Sequence, residues 1–69
     1  WILIMREIVI QPSAALYELS LEALVGRRAN IVEVLKRKDG TIRGCWASLI
    51  GEPYLERKEW FIPYSSFIL

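Results

Sequence analysis

The chain has 69 residues, 54% of them hydrophobic, and its nine basic and eight acidic side chains leave a formal net charge of +1. This length allows one domain, the apolar content excludes an intrinsically disordered chain, and the near-neutral charge argues against binding a polyanion by bulk charge alone. Because there is one cysteine and no histidine, an internal disulfide is excluded and neither a metal nor a cofactor is expected.

The first predicted element is a β-strand from Leu3 to Ile10, which is rich in β-branched residues and stops at Gln11-Pro12-Ser13. Residues 1–12 are interpreted as an added N-terminal strand of the domain. The apolar start, Trp1 to Met5, is far too short to span a membrane and lacks the features of a secretory signal. No membrane association is therefore expected, and the lone cysteine favours a reducing, cytoplasmic setting.

The next segment carries weak helical signals. Residues 13–19 contain helix formers but are ambiguous in type. Residues 20–26 predict one helical turn, with Ser20 as the N-cap and Gly26 as the terminator. So short a helix needs tertiary packing to be stable.

The clearest local signal is a β-hairpin, in which strands at 29–35 and 41–50 flank Lys38-Asp39-Gly40. A two-residue turn would place Lys36 opposite Arg43, a repulsive pair. A three-residue loop with Gly40 in the left-handed region instead places Leu35 opposite Arg43, and we favour that register. It groups five side chains on one face of the hairpin: Val32, Val34, Ile42, Gly44 and Trp46.

The remaining residues predict a turn at 51–54, a fourth strand at 57–62 and a short fifth strand at 67–69. Pro63 belongs at a strand end, since proline cannot donate to a sheet ladder. The sequence therefore predicts a single, mostly β domain over residues 1–69, built as a small five- to six-stranded barrel with at most one short helical turn.

Several motifs match one family in order and spacing. Ala15-Leu16-Tyr17-Glu18-Leu19 is similar to an Ala-Leu-Tyr-Asp-Tyr signature, and Ile62-Pro63-Tyr64-Ser65-Ser66-Phe67 to a closing Ile-Pro-Ser-Asn-Tyr-Val motif. Between them, Trp46 stands at the position of a groove tryptophan. From about residue 15 to residue 69, the chain thus resembles Src-homology-3 modules at low identity. The resemblance implies a Src-homology-3-like barrel that binds another protein.

Three departures qualify this resemblance. The final tyrosine of the first motif is missing, Ser66 replaces the groove tyrosine of the last, and residues 19–29 are too few for the family's long acidic loop. They argue against proline-rich peptides as the ligand. A second segment, Gly26 to Val34, resembles the KOW element of ribosomal and transcription-factor barrels, with Ala29 in place of a second glycine. That resemblance implies binding to RNA or to the transcription machinery.

Catalysis is not expected. Acyl and phosphoryl transfer want a nucleophile beside a base, and the chain has no histidine. Cys45 lies in a predicted strand, where a buried, inert thiol is the usual interpretation. The three glutamates at 52, 56 and 59 are not held together by their spacing, and the four glycines form no phosphate-binding loop.

The first hypothesis is a binding module that mediates protein–protein interaction or homo-oligomerisation through aromatic side chains, which bury much area at low entropic cost. Its predicted binding residues are Trp46, Tyr54 and Tyr64, with Arg43 and Lys58 as a polar rim. The alternative is a KOW-like module that binds single-stranded RNA or DNA. Its residues would be Arg27, Arg28, Lys36, Arg37, Lys38 and Arg43.

Overall fold

A computed structural model describes residues 6–68, which form one antiparallel sheet with the strand order β1-β2-β3-β4. The strands are β1 (Arg6–Val9), β2 (Arg28–Lys36), β3 (Ile42–Leu49) and β4 (Glu59–Pro63). Within residues 6–68, helical structure is limited to α1 (Ala14–Glu18) and two 3-10 turns, η1 (Glu22–Leu24) and η2 (Tyr64–Ser66). The mostly β class is therefore confirmed.

The predicted closed barrel of five to six strands is wrong in this part of the chain. Residues 6–68 form four strands in one open sheet, and Phe67 and Ile68 belong to no strand. Leu3 to Met5 of the predicted first strand, and Leu69 of the predicted fifth, lie outside the described residues. Instead of adding a strand, Phe67 packs its side chain into the core.

The core lies between one face of the sheet, the inner face, and the segment that joins β1 to β2. The strands contribute alternate apolar side chains to it, because successive residues of a strand point to opposite faces. Leu16 of α1 and Leu24 of η1 are completely buried against them. Each such side chain stabilises the fold by about 1.5–3 kcal/mol. The sheet residues of the core are Ile8, Ala29, Ile31, Cys45, Ala47, Leu49 and Ile62.

The joining segment is organised by a serine to which the sequence patterns gave no role. Ser13 is the N-cap of α1, and its hydroxyl accepts a hydrogen bond of 3.1 Å from the amide of Leu16. Ser20, the predicted N-cap, does not cap η1, because it lies in the left-handed region with φ +59° and Leu21 precedes the turn. Gly26 follows with φ +85°, as expected of a terminator.

The β2–β3 hairpin has the predicted three-residue loop. The amide of Arg37 donates to the carbonyl of Thr41, and Gly40, with φ +90°, donates to the carbonyl of Arg37. Asp39 accepts two hydrogen bonds from Thr41, and these lower the pKa of its carboxyl group. The loop therefore sets the starting register of the hairpin.

The register predicted beyond the loop is wrong over the middle of the hairpin. Arg43 is an extra residue on β3, so Leu35 lies opposite Gly44, and a second irregularity at Val32 restores the predicted register at Ile31. Val34 consequently packs against the core, whereas Gly44 and Trp46 point to the opposite, outer face. The five residues predicted to share one face are thus divided between two.

Among residues 6–68, no helix combines the length and the apolar character needed to cross a membrane.

Candidate functional site

Two aromatic side chains lie side by side on the outer face of the sheet. Trp46 of β3 is directly opposite Phe61 of β4, and both are half-buried. The Phe61 ring lies across Gly44, where a Cβ atom, if glycine had one, would come within 2.6 Å of Cζ of the ring. The indole Nε1 of Trp46 donates a 2.7 Å hydrogen bond to Glu59. Both rings are therefore held in place before any ligand arrives.

The extra residue on β3 explains how Arg43 reaches these aromatics. In a regular strand, Arg43 would alternate with Gly44 and point to the same face as Cys45, which is buried in the core. The bulge cancels this alternation. The Arg43 guanidinium lies instead 4.9 Å from the centre of the Phe61 ring, a cation–π distance.

A cleft of about 480 Å³ lies beside Arg43, which is one of its lining residues. Its walls come from the start of α1, the loop end of the β2–β3 hairpin and the η2 turn. Tyr64 is 45% exposed there, and its ring meets Phe67 edge-on at 5.5 Å. The lining residues are Ala15, Arg37, Ile42, Arg43, Pro63, Tyr64 and Ser65. The cleft therefore joins the two motifs that carry the Src-homology-3 resemblance, since Ala15 belongs to one and Ser65 to the other.

Four neighbouring side chains form what we call the aromatic surface: Trp46, Phe61, Arg43 and Tyr64. Three of the five predicted binding residues, Trp46, Arg43 and Tyr64, belong to it. Trp46 lies opposite Phe61, and Arg43 stacks on the Phe61 ring. Arg43 and Tyr64 in turn line the same cleft, which connects Tyr64 to the other three residues.

Tyr54 lies elsewhere, in a cluster of its own. Its ring packs at 5.5 Å on Trp60, which points to the inner face and contacts the core. Arg57 stacks on the Trp60 ring at 4.4 Å, and the carbonyl of Arg57 accepts a hydrogen bond from Trp60. These contacts hold the loop between β3 and β4. Lys58 belongs to the same loop, is exposed and does not line the cleft.

The basic residues of the nucleic-acid hypothesis are spread over several places. Arg27 donates to the carbonyls of Ile50 and Glu52 and so fixes a loop. Arg28 forms an ion pair with Glu7 at 3.1 Å. Lys36 and Lys38 are exposed on the hairpin, and only Arg37 and Arg43 meet in the cleft.

Cys45 of β3 is completely buried on the inner face of the sheet. Desolvation raises the pKa of its thiol to about 11, so the thiol is protonated at neutral pH. Because the thiolate is the nucleophilic form, Cys45 is held in an unreactive state.

Phe61 is the important residue that the sequence interpretation missed. Its signal was the alternation of β4: once Ile62 is assigned to the core, Phe61 must point to the other face, beside Trp46. Ser66, noted as the replacement of a groove tyrosine, is buried and shares a 2.6 Å hydrogen bond with the hydroxyl of Ser13. It ties η2 to α1 rather than facing a ligand.

Comparison of the chain with protein-family models, with curated proteins and with solved structures finds no match.

Proposed function

We propose that this chain is a non-catalytic binding module that takes a protein or peptide segment on the aromatic surface. The observation that carries the proposal is the continuity of the aromatic surface: Trp46 is opposite Phe61, Arg43 stacks on the Phe61 ring, and Arg43 and Tyr64 line one cleft. Aromatic residues and arginine are the side chains most enriched in interface hot spots. Held rings also lose little entropy when a partner binds.

The resemblance of two short motifs to Src-homology-3 modules also supports a peptide-binding function, although the strands of residues 6–68 form an open sheet rather than a closed barrel. Its first and last motifs meet at the cleft, where Ala15 and Ser65 share a wall and Ser13 bonds to Ser66. Ser66 has its hydroxyl turned inward, so the proposed ligand is not a proline-rich peptide. The proposal includes a second copy of this chain as a partner, which analytical ultracentrifugation detects as a concentration-dependent dimer.

The direct test is selection of a random-peptide display library on the immobilised protein, followed by affinity measurement with variants. Tyr64→Ala removes an exposed ring from the aromatic surface. Tyr17→Ala is the matched control, since Tyr17 is 52% exposed on α1 and does not line the cleft. We expect enriched peptides to bind Tyr64→Ala about tenfold more weakly and Tyr17→Ala as well as wild type. Failure to enrich any peptide, or equal loss in both variants, contradicts the proposal.

Nucleic-acid binding is the second candidate, and the meeting of Arg37 and Arg43 in one cleft favours it. Against it stand two carboxylates beside the aromatics: Glu33 is opposite Trp46, and Glu59 is bonded to the indole. Both would repel a phosphate backbone that tracked along the surface. Oligonucleotide affinity that falls steeply with added salt would support this candidate over the first.

A further inference from the structure

We propose that the cleft is a carboxylate-binding pocket, which receives an acidic side chain of the peptide partner. This inference rests on the proposed peptide-binding function and adds the chemical class that the cleft selects. Two of its seven lining residues are arginines, and none is acidic. The cleft is therefore a concentration of positive charge on a chain whose net charge is only +1.

Neither arginine forms an ion pair within residues 6–68, although, after the hydrogen bonds from Thr41, the charge of Arg37 also helps to lower the pKa of the nearby Asp39 carboxyl group. The one ion pair found among residues 6–68 joins Arg28 to Glu7. One terminal nitrogen of Arg37 donates two hydrogen bonds, to the hydroxyl of Thr41 at 3.3 Å and to the carbonyl of Ile42 at 3.2 Å. Its other terminal nitrogen makes no hydrogen bond within residues 6–68, and the guanidinium of Arg43 makes none there either. Planar guanidinium groups with such unused N–H donors can bind the two oxygens of a carboxylate.

Both arginines are also pre-positioned. The hairpin loop restrains Arg37 through Thr41, while the bulge and the Phe61 ring restrain Arg43. Tyr64 and Ser65 bring hydroxyl-bearing side chains to the lining, and Ile42 and Pro63 bring apolar ones. A charge-assisted hydrogen bond from these guanidinium groups to a carboxylate is stronger than a hydrogen bond between neutral groups.

Charges next to the cleft favour an acidic peptide over a polyanion. Glu33 and Glu59 flank Trp46, three residues along β3 from Arg43. At about 3.3 Å per residue, that separation is roughly 10 Å, so an extended peptide of about three residues spans it. The preferred ligand therefore has one acidic residue in the cleft and neutral or basic residues over Trp46, a pattern that a phosphate backbone cannot offer.

The pocket can be tested with probes smaller than any peptide. ¹⁵N-labelled protein is titrated at constant ionic strength with N-acetylaspartate amide, and in parallel with N-acetylasparagine amide, its neutral counterpart. We expect the aspartate probe alone to shift the backbone amides of Ala15, Ile42 and Ser65. Arg43→Gln should weaken this binding about tenfold, whereas Lys38→Gln, which removes the same charge outside the lining, should leave it unchanged. Amide spectra of both variants verify that they fold.

The outcomes separate this inference from the function on which it rests. Equal shifts with both probes, or equal weakening in Arg43→Gln and Lys38→Gln, overturn the carboxylate pocket even when the display library yields binding peptides. Peptides enriched without a fixed Asp or Glu overturn it as well and leave the binding module intact. An oligothymidylate that shifts the same amides more strongly than the aspartate probe overturns it in favour of nucleic acid.

Discussion

The tight turn at the tip of the β3–β4 loop predicts a stabilising double substitution. Tyr54 and Arg57 exchange two backbone hydrogen bonds, of 2.9 and 3.0 Å, across Leu55 and Glu56. Leu55 and Glu56 have φ of +50° and +65°, the pattern of a type I′ turn. Such turns favour Asn-Gly because other residues strain in the left-handed region. We therefore expect Leu55→Asn with Glu56→Gly to stabilise the fold.

The size of the effect follows from three contributions. Each residue in the left-handed region costs about 1–2 kcal/mol, which the substitutions largely relieve. The new glycine gives back about 0.5–1 kcal/mol through the entropy of the unfolded chain. Leu55 is 69% exposed, so its partial burial contributes only about 0.5 kcal/mol. The net gain is about 1–2 kcal/mol, and each kcal/mol raises Tm by about 4–8 °C in a domain of this size.

Thermal and urea denaturation, followed by circular dichroism, measure this gain. Leu55→Ala with Glu56→Ala is the matched control, because it removes the same side chains and keeps two residues that resist positive φ. We expect no stabilisation from it. An equal rise in Tm for both double variants would refute the reasoning, since the gain would then come from loss of the exposed leucine rather than from the turn.

Substitutions at three further positions test the packing of the fold. Gly44→Ala should destabilise the fold by about 1–3 kcal/mol, as measured by urea unfolding. The new Cβ would lie 2.6 Å from the Phe61 ring and 2.5 Å from a backbone carbonyl of the neighbouring strand. An unchanged urea midpoint would contradict this close approach. Ser66→Ala should cost about 1 kcal/mol by the same assay through the lost bond to Ser13, and Ser66→Thr, which keeps a hydroxyl, would recover part of that cost only if the hydrogen bond matters. Burial raises the pKa of Cys45 from 9.0 to about 11, so its protonated form is favoured by folding: this stability is complete below about pH 9 and is lost as pH rises towards about 11. Urea midpoints between those values should fall more in wild type than in Cys45→Ala, and an identical fall in both would contradict the assignment.

The local chemistry of the chain was sufficient to predict much of the secondary structure. Runs of β-branched and aromatic residues predicted β2, β3 and β4 within two residues of their observed ends. Asp39-Gly40 predicted the hairpin, and the repulsion between Lys36 and Arg43 in a two-residue turn favoured the three-residue loop, in which Gly40 has positive φ. The absence of histidine and the single cysteine were likewise enough to argue against the common nucleophile–base and zinc chemistries.

The direction of individual side chains, by contrast, depended on contacts between distant parts of the chain. The bulge at Arg43 and its counterpart at Val32 depend on how three strands pack together, and no residue type at those positions signals them. Since side chains alternate with a period of two, a shift of one residue exchanges the two faces of the sheet. The shift placed Val34 on the inner face, away from Trp46, and brought the Arg43 guanidinium into contact with the Phe61 ring. Local residue patterns were thus enough to specify the strands and the supply of aromatic side chains, while long-range packing selected which of them form the aromatic surface.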